Sequence, residues 1–186
     1  SLWRDPAKCR TGVASLKWVT AVLVEIEDAT YPAVVYIARH MRQLDADEIY
    51  PHMWSPTPEN LAIGTCQSIL KYVALKDGKP IATWGANERL PKVWNCWMYA
   101  TDDWMKVALA VTRHIHKVVR PAVVNSGASR LDCWSMEGHD VAHRWLEMLG
   151  ARREASLEDY SSERKIYYCY SWTRSQLERD DVRRTV

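Results

Sequence analysis

The chain has 186 residues, 47% hydrophobic and 26% charged, a balance that suits one globular domain with a two-layer core and excludes general disorder. Its net charge of +2, with basic and acidic residues interleaved, is too mild to point to a nucleic-acid partner. No apolar run reaches the roughly 18 residues of a membrane span, and the opening SLWRDPAKCR has no signal-peptide core, so a soluble chain is expected.

Residues 1–17, with Pro6 and Gly12, show little periodicity and read as an irregular N-terminal arm. Residues 18–26 (WVTAVLVEI) are rich in β-branched side chains and predict the first strand. Turn chemistry at 27–30 precedes a helix over 31–41, whose proline falls in the tolerant first turn. A short helical piece over 45–50 leads into a Pro-rich loop, 52–58. Thr57 is then placed to cap a helix over 60–72.

Residues 71–75 and 80–86 predict a hairpin around Asp77-Gly78, the strongest turn signal in the chain. The apolar run 92–100 (KVWNCWMYA) reads as a central strand. Thr101-Asp102-Asp103 supplies a capping hydroxyl and first-turn acids for a helix to about Arg120, which Pro121 kinks or ends.

Residues 129–150 hold the densest signal. A β-prone run, 130–134, meets a turn at 135–138. A helix follows with Val141, Ala142, Trp145, Leu146 and Leu149 on one face, and Gly150 is placed to end it. Two final strands, 151–157 and 165–172, flank a polar turn. The charged segment 173–186 reads as a solvated tail or short helix.

Five cysteines (9, 66, 96, 133 and 169) form neither a disulfide framework nor a CxxC pair, so reduced, intracellular thiols are expected, with those at 96, 133 and 169 packed as small apolar groups. His139 and His143 share a helix face, and two polar residues on a solvated face is a better reading than a metal pair lacking a third ligand. His114 and His116 point to different sides of a helix. Ser135, His139 and Asp140 are too close in sequence to mean a catalytic triad. Trp84, Trp94, Trp97, Trp134 and Trp145 fall at core positions. Trp3, Trp54, Trp104 and Trp172 are expected to be partly exposed, where a tryptophan can anchor a partner.

The element order, a mixed and mostly antiparallel sheet flanked by helices, places the chain in the α/β (α+β) class. The stretch Ala142-His143-Arg144-Trp145-Leu146-Glu147-Met148-Leu149-Gly150-Ala151 resembles the second half of the Gcn5-related N-acetyltransferase (GNAT) signature. With the element order, this resemblance covers 18–172 and leaves 173–186 as a tail. The KDGKPIATWG hairpin, the strand ending Tyr99-Ala100-Thr101-Asp102 and the Trp134 to Ala151 unit also resemble the internal virion (core) proteins of T7-type podophages.

The resemblance implies an acetyl-CoA site at the 100–104 junction, with Met98, Tyr99, Ala100, Thr101 and Trp104 as the positions that would line it. That junction has two carboxylates and none of the glycines of the family's phosphate loop, and acids at a helix start compete with a bound anion. Leu146 stands where the family often has a tyrosine acid. Glu88, Asp132 and His143 are the replacement acid–base candidates, and no metal is implied. The expectation is a GNAT fold with a degenerate acetyl-CoA site. It would serve as an internal virion or core-assembly protein, partnered by virion or host proteins, in the virion interior or host cytoplasm. Two alternatives stay open: an active acyl-CoA-dependent N-acetyltransferase acting on a protein or small amine, and a plain host-interaction module.

Overall fold

The structure, a computed structural model, describes residues 24–182. The predicted arm and residues 18–23 of the predicted first strand lie outside that range; β1 is described as Val24–Asp28. Three helices follow, α1 (Tyr31–Arg39), α2 (Gln43–Ile49) and α3 (Pro58–Cys66). The strands β2 (Leu70–Lys76), β3 (Lys79–Leu90) and β4 (Val93–Ala100) form a meander. Next come α4 (Ala108–His114) and α5 (Arg120–Asn125), then β5 (Arg130–Met136), α6 (Asp140–Met148), β6 (Arg152–Leu157), β7 (Tyr167–Thr173) and α7 (Arg174–Val182).

The seven strands make one sheet in the order β1-β2-β3-β4-β5-β7-β6. Every neighbouring pair is antiparallel except β4 and β5, which run parallel. Side chains alternate between two apolar layers. Ala82, Trp84 and Ala100 face α4, α5 and α6 in the larger cluster, whereas Val73 and Tyr99 face α1 and α3 in the smaller one.

Local chemistry explains the joints. Asp77 and Gly78 take φ of +53° and +73°, the left-handed pair that closes the two-residue β2–β3 hairpin. Thr57 caps α3 by accepting from the Asn60 N–H at 3.2 Å. Gly150, at φ +89°, ends α6: its N–H meets the Glu147 carbonyl and the Ala151 N–H the Leu146 carbonyl, as sequence predicts for a left-handed C′ glycine.

Three boundaries differ from expectation. The helix predicted over 60–72 stops at Cys66, because the Asn87 side chain accepts from the Ile69 N–H at 2.8 Å and starts β2 there. Thr101 does not cap a helix. Its hydroxyl is buried without a partner, and Asp102–Lys106 form a 3-10 turn before α4. Nor does Pro121 end the helical path, which continues to Asn125 through a π turn at Ile115–Val119. Proline lacks an N–H and crowds the carbonyl four residues back, and widening that turn accommodates both. At the C-terminal end, 174–182 is helical, and Leu177 is fully buried in the larger apolar cluster. Among the described residues no helix is long and apolar enough to cross a membrane.

Candidate functional site

The site is built at the one parallel junction. β4 and β5 pair only at Val93 with Arg130, Trp94 with Leu131 and Asn95 with Asp132, then separate. Asn95 sits at the fork and donates its side-chain N–H to the Asp132 carbonyl at 3.1 Å, capping the last rung. Just past β4 the Thr101 N–H bonds the Ile81 carbonyl of β3, while the Ala100 N–H points away, towards the gap. On β5 the Met136 N–H likewise faces the gap. Alternation then turns the backbone groups of Met98 and Trp134 into the opening between the strands.

Helix α2 crosses the far end of this opening. Asp45 is buried and accepts from the Ala100 N–H at 2.9 Å and from the Arg42 guanidinium in a two-pronged contact at 3.0 and 2.9 Å. The Arg42 N–H returns a bond to the Ala100 carbonyl at 2.9 Å, so both backbone groups at the end of β4 are satisfied from within the chain. One turn later, a single Glu48 oxygen accepts from the Met136 N–H (2.7 Å), the Ser135 hydroxyl (2.9 Å) and His139 Nδ1 (3.0 Å). The other His139 nitrogen lies 3.6 Å from Asp45. Burial pushes the Asp45 carboxyl up, opposed by Arg42 and the Ala100 N–H.

Around this polar end opens a cavity of about 420 Å³ with largely apolar walls, among them Trp84, Met98, Trp104, Trp145 and Leu146. Trp145 donates its indole N–H to Thr112 at 3.0 Å and stacks edge-on against Trp104. Tyr167 reaches the cavity from the other face of the sheet. Its hydroxyl donates to the Glu48 carbonyl at 2.7 Å, and burial pushes it up to about 12.

The residues predicted from sequence divide in two. Met98 and Trp104 line the cavity and Ala100 borders it through its N–H. Tyr99 turns to the opposite layer, where its hydroxyl meets Thr65 at 2.8 Å, and Thr101 is buried in a bridge to Met41. None of the three acid–base candidates lines the cavity. Glu88 is exposed and accepts from the Lys92 N–H at 2.6 Å, a turn contact. Asp132 is buried between Arg130, Arg89 and Asn95. His143 bonds the Met136 carbonyl through Nε2 at 3.0 Å and packs on Tyr170; burial holds it below the usual histidine range.

Two expectations are corrected. His139, read as a solvated polar residue, is 3% exposed because it precedes the first turn of α6 and points in towards Glu48. Trp104 and Trp172, expected to be partly exposed, are buried at 5% and 4% exposure, the first by α6 and the second by α7, whereas Trp54 is fully exposed. Arg42, Asp45 and Glu48 were not singled out, and Ser135 was weighed only as part of a triad. The only sequence signal was two acids three apart in a short helical piece, which places them on one face.

No family model matches the sequence, and no curated protein is similar to it. Solved structures are similar in fold. The GNAT-family acetyltransferase from Bacillus anthracis aligns with a TM-score of 0.62 at 10% identity, over 83% of this chain and 98% of that one. The ribosomal-protein-S18-alanine N-acetyltransferase from Escherichia coli aligns at 0.60 and 15%, over 81% and 94%. Ard1 from Thermoplasma volcanium aligns at 0.64 and 12%, over 82% and 98%. The fold is the GNAT fold.

Within that fold, the residues after β4 carry two carboxylates and no glycine. Asp103 is neutralised in part by Lys79 and Lys106, which hold its carboxyl below the ordinary range, and Asp102 is exposed. The decisive contact is Asp45 on the Ala100 N–H. An anion taking that N–H would compete with a carboxylate that already holds it and whose charge Arg42 balances. Displacing Asp45 instead would strand a buried charge beside Arg42. Both carboxylates facing the gap accept several donors, Asp45 from the Ala100 N–H and Arg42, and one Glu48 oxygen from Met136, Ser135 and His139.

Proposed function

We propose that this chain is a GNAT-fold protein whose acetyl-CoA site is degenerate and which works through protein–protein contacts. The observation that carries the reading is the Asp45 carboxylate seated on the Ala100 N–H and locked by Arg42. The residues present do not fit the phosphate end of acetyl-CoA: an internal carboxylate already fills the role of the anion.

The sequence resemblance to the internal virion proteins of T7-type podophages supports a place for those contacts inside a phage particle, as an internal virion or core-assembly protein. Partners would then be other virion proteins or a host protein, met in the virion interior or the host cytoplasm. The fully exposed Trp54, beside the Pro-rich turn before α3, suits an interface anchor. Quantitative mass spectrometry of purified particles tests this role. A fixed copy number that survives nuclease and salt washing is expected. Absence from particles, with the protein abundant in infected cells, would sink it and favour a host-interaction module.

One observation favours a second reading, an acyl-CoA-dependent N-acetyltransferase. The gap between β4 and β5 persists, and the backbone groups of Met98 and Trp134 face an apolar cavity able to take an acyl chain and amide groups. Acetyl-CoA binding separates the two.

A further inference from the structure

One pair of side chains at the fork has a chemistry that acyl transfer does not use. Cys96 and Cys133 each come one residue after the last paired rung, Asn95 with Asp132. Alternation from that rung turns both residues to the same face, where both thiols enter the larger apolar cluster and line the cavity. The last paired rung holds the strands about 4.8 Å apart, so the next residue on each starts near the Cα separation of about 4.4–6.8 Å that a disulfide spans. The neighbouring Cys96 and burial push the Cys133 thiol up. Cys169, by contrast, lies 3.7 Å from the Arg130 guanidinium, and Cys66 ends α3. All four described cysteines are free thiols.

We propose that Cys96 and Cys133 form a reversible disulfide across the fork, with hydrogen peroxide as the oxidant, stapling β4 to β5 one rung beyond their last backbone pair. Cys96 is the attacking group, because it is partly exposed where Cys133 is buried. The Cys96 thiolate attacks one peroxide oxygen; the S–O bond forms, the O–O bond breaks, and the leaving hydroxide takes a proton to become water. The Cys133 sulfur then attacks the sulfenic sulfur, the S–S bond forms, the S–O bond breaks, and a second water leaves with the Cys133 proton. Two thiols are oxidised and one peroxide is reduced to two waters. The cavity admits an oxidant of this size, and the new bond fixes the strand separation at the mouth of the fork.

The full-length protein, treated natively with limiting hydrogen peroxide and then alkylated, is mapped by peptide mass spectrometry without reduction. The Cys96 and Cys133 peptides should disappear together, reappear as one cross-linked species, and separate again on adding dithiothreitol. The oxidised form should melt at a higher temperature than the reduced form. Cys96→Ser and Cys133→Ser should each abolish the cross-link and leave the remaining partner open to alkylation or to a sulfenic-acid probe. Where a variant fails to fold, the wild-type map decides alone. Separate alkylation of both peptides after the other cysteines have oxidised would overturn the proposal, as would a cross-link joining different cysteines.

Discussion

At Gly85 the fold leaves no room for a side chain. A β-carbon there would sit 2.0 Å from the Leu70 carbonyl oxygen and 2.5 Å from the indole of Trp97, its cross-strand partner. The ring could shift, but the carbonyl belongs to β2 and cannot move without opening the β2–β3 ladder. Gly85→Ala is therefore expected to cost about 3 kcal/mol, the upper end for overpacking. Urea denaturation should show a lower midpoint at unchanged slope; a wild-type midpoint would mean that Trp97 and β2 rearrange freely. Residues of this kind were partly legible. Gly150 was read as a helix stop because its place just after an apolar helical face is a local signal. Asp45, Glu48 and His139 were not, since their meaning comes from contacts across 91 residues of chain or more than half that distance, and nothing nearby marks them.

Among elements, α2 matters most to the site, because it bridges the strands where they part. Its Asp45 holds the end of β4 and its Glu48 holds the end of β5. Glu48→Ala would leave the Met136 N–H, the Ser135 hydroxyl and His139 Nδ1 without their shared acceptor in a region largely shut off from water. The expected loss is about 3 kcal/mol or more in chemical denaturation, with faster hydrogen exchange at the Met136 amide. An unchanged midpoint and unchanged exchange would show that the bridge is incidental. The hairpin at Asp77-Gly78 and the strands beside it were legible because type and position follow from the turn pair itself. Short α2 was visible only as a helical piece, and the π turn before Pro121 not at all. Both depend on packing that local propensity does not encode, as does the seating of α7 through Leu177.

For the molecule as a whole, the order of strands and helices was readable from alternating apolar runs and turn residues, and that order already implied the GNAT arrangement. The gap between β4 and β5 was not readable. Residues 92–100 look like a continuous central strand, yet only the stretch before Cys96 has a partner on that side. Of the acids after β4, Asp103 is paired with two lysines, and the carboxylate on the Ala100 N–H comes from Asp45, more than fifty residues earlier. The cavity is thus apolar in its middle and carries the Asp45 and Glu48 carboxylates with Arg42 at its end.

Titration calorimetry of acetyl-CoA into the full-length protein, run beside a thermal melt, tests this account most directly. With Asp45 on the Ala100 N–H, no binding heat and no rise in Tm are expected at millimolar ligand. A micromolar isotherm would contradict it, together with the stabilisation of about 2.7 kcal/mol that a ligand gives at about a hundred times its Kd. Asp45 would then have to yield to the cofactor's phosphates, and the acceptor amine would become the object of search.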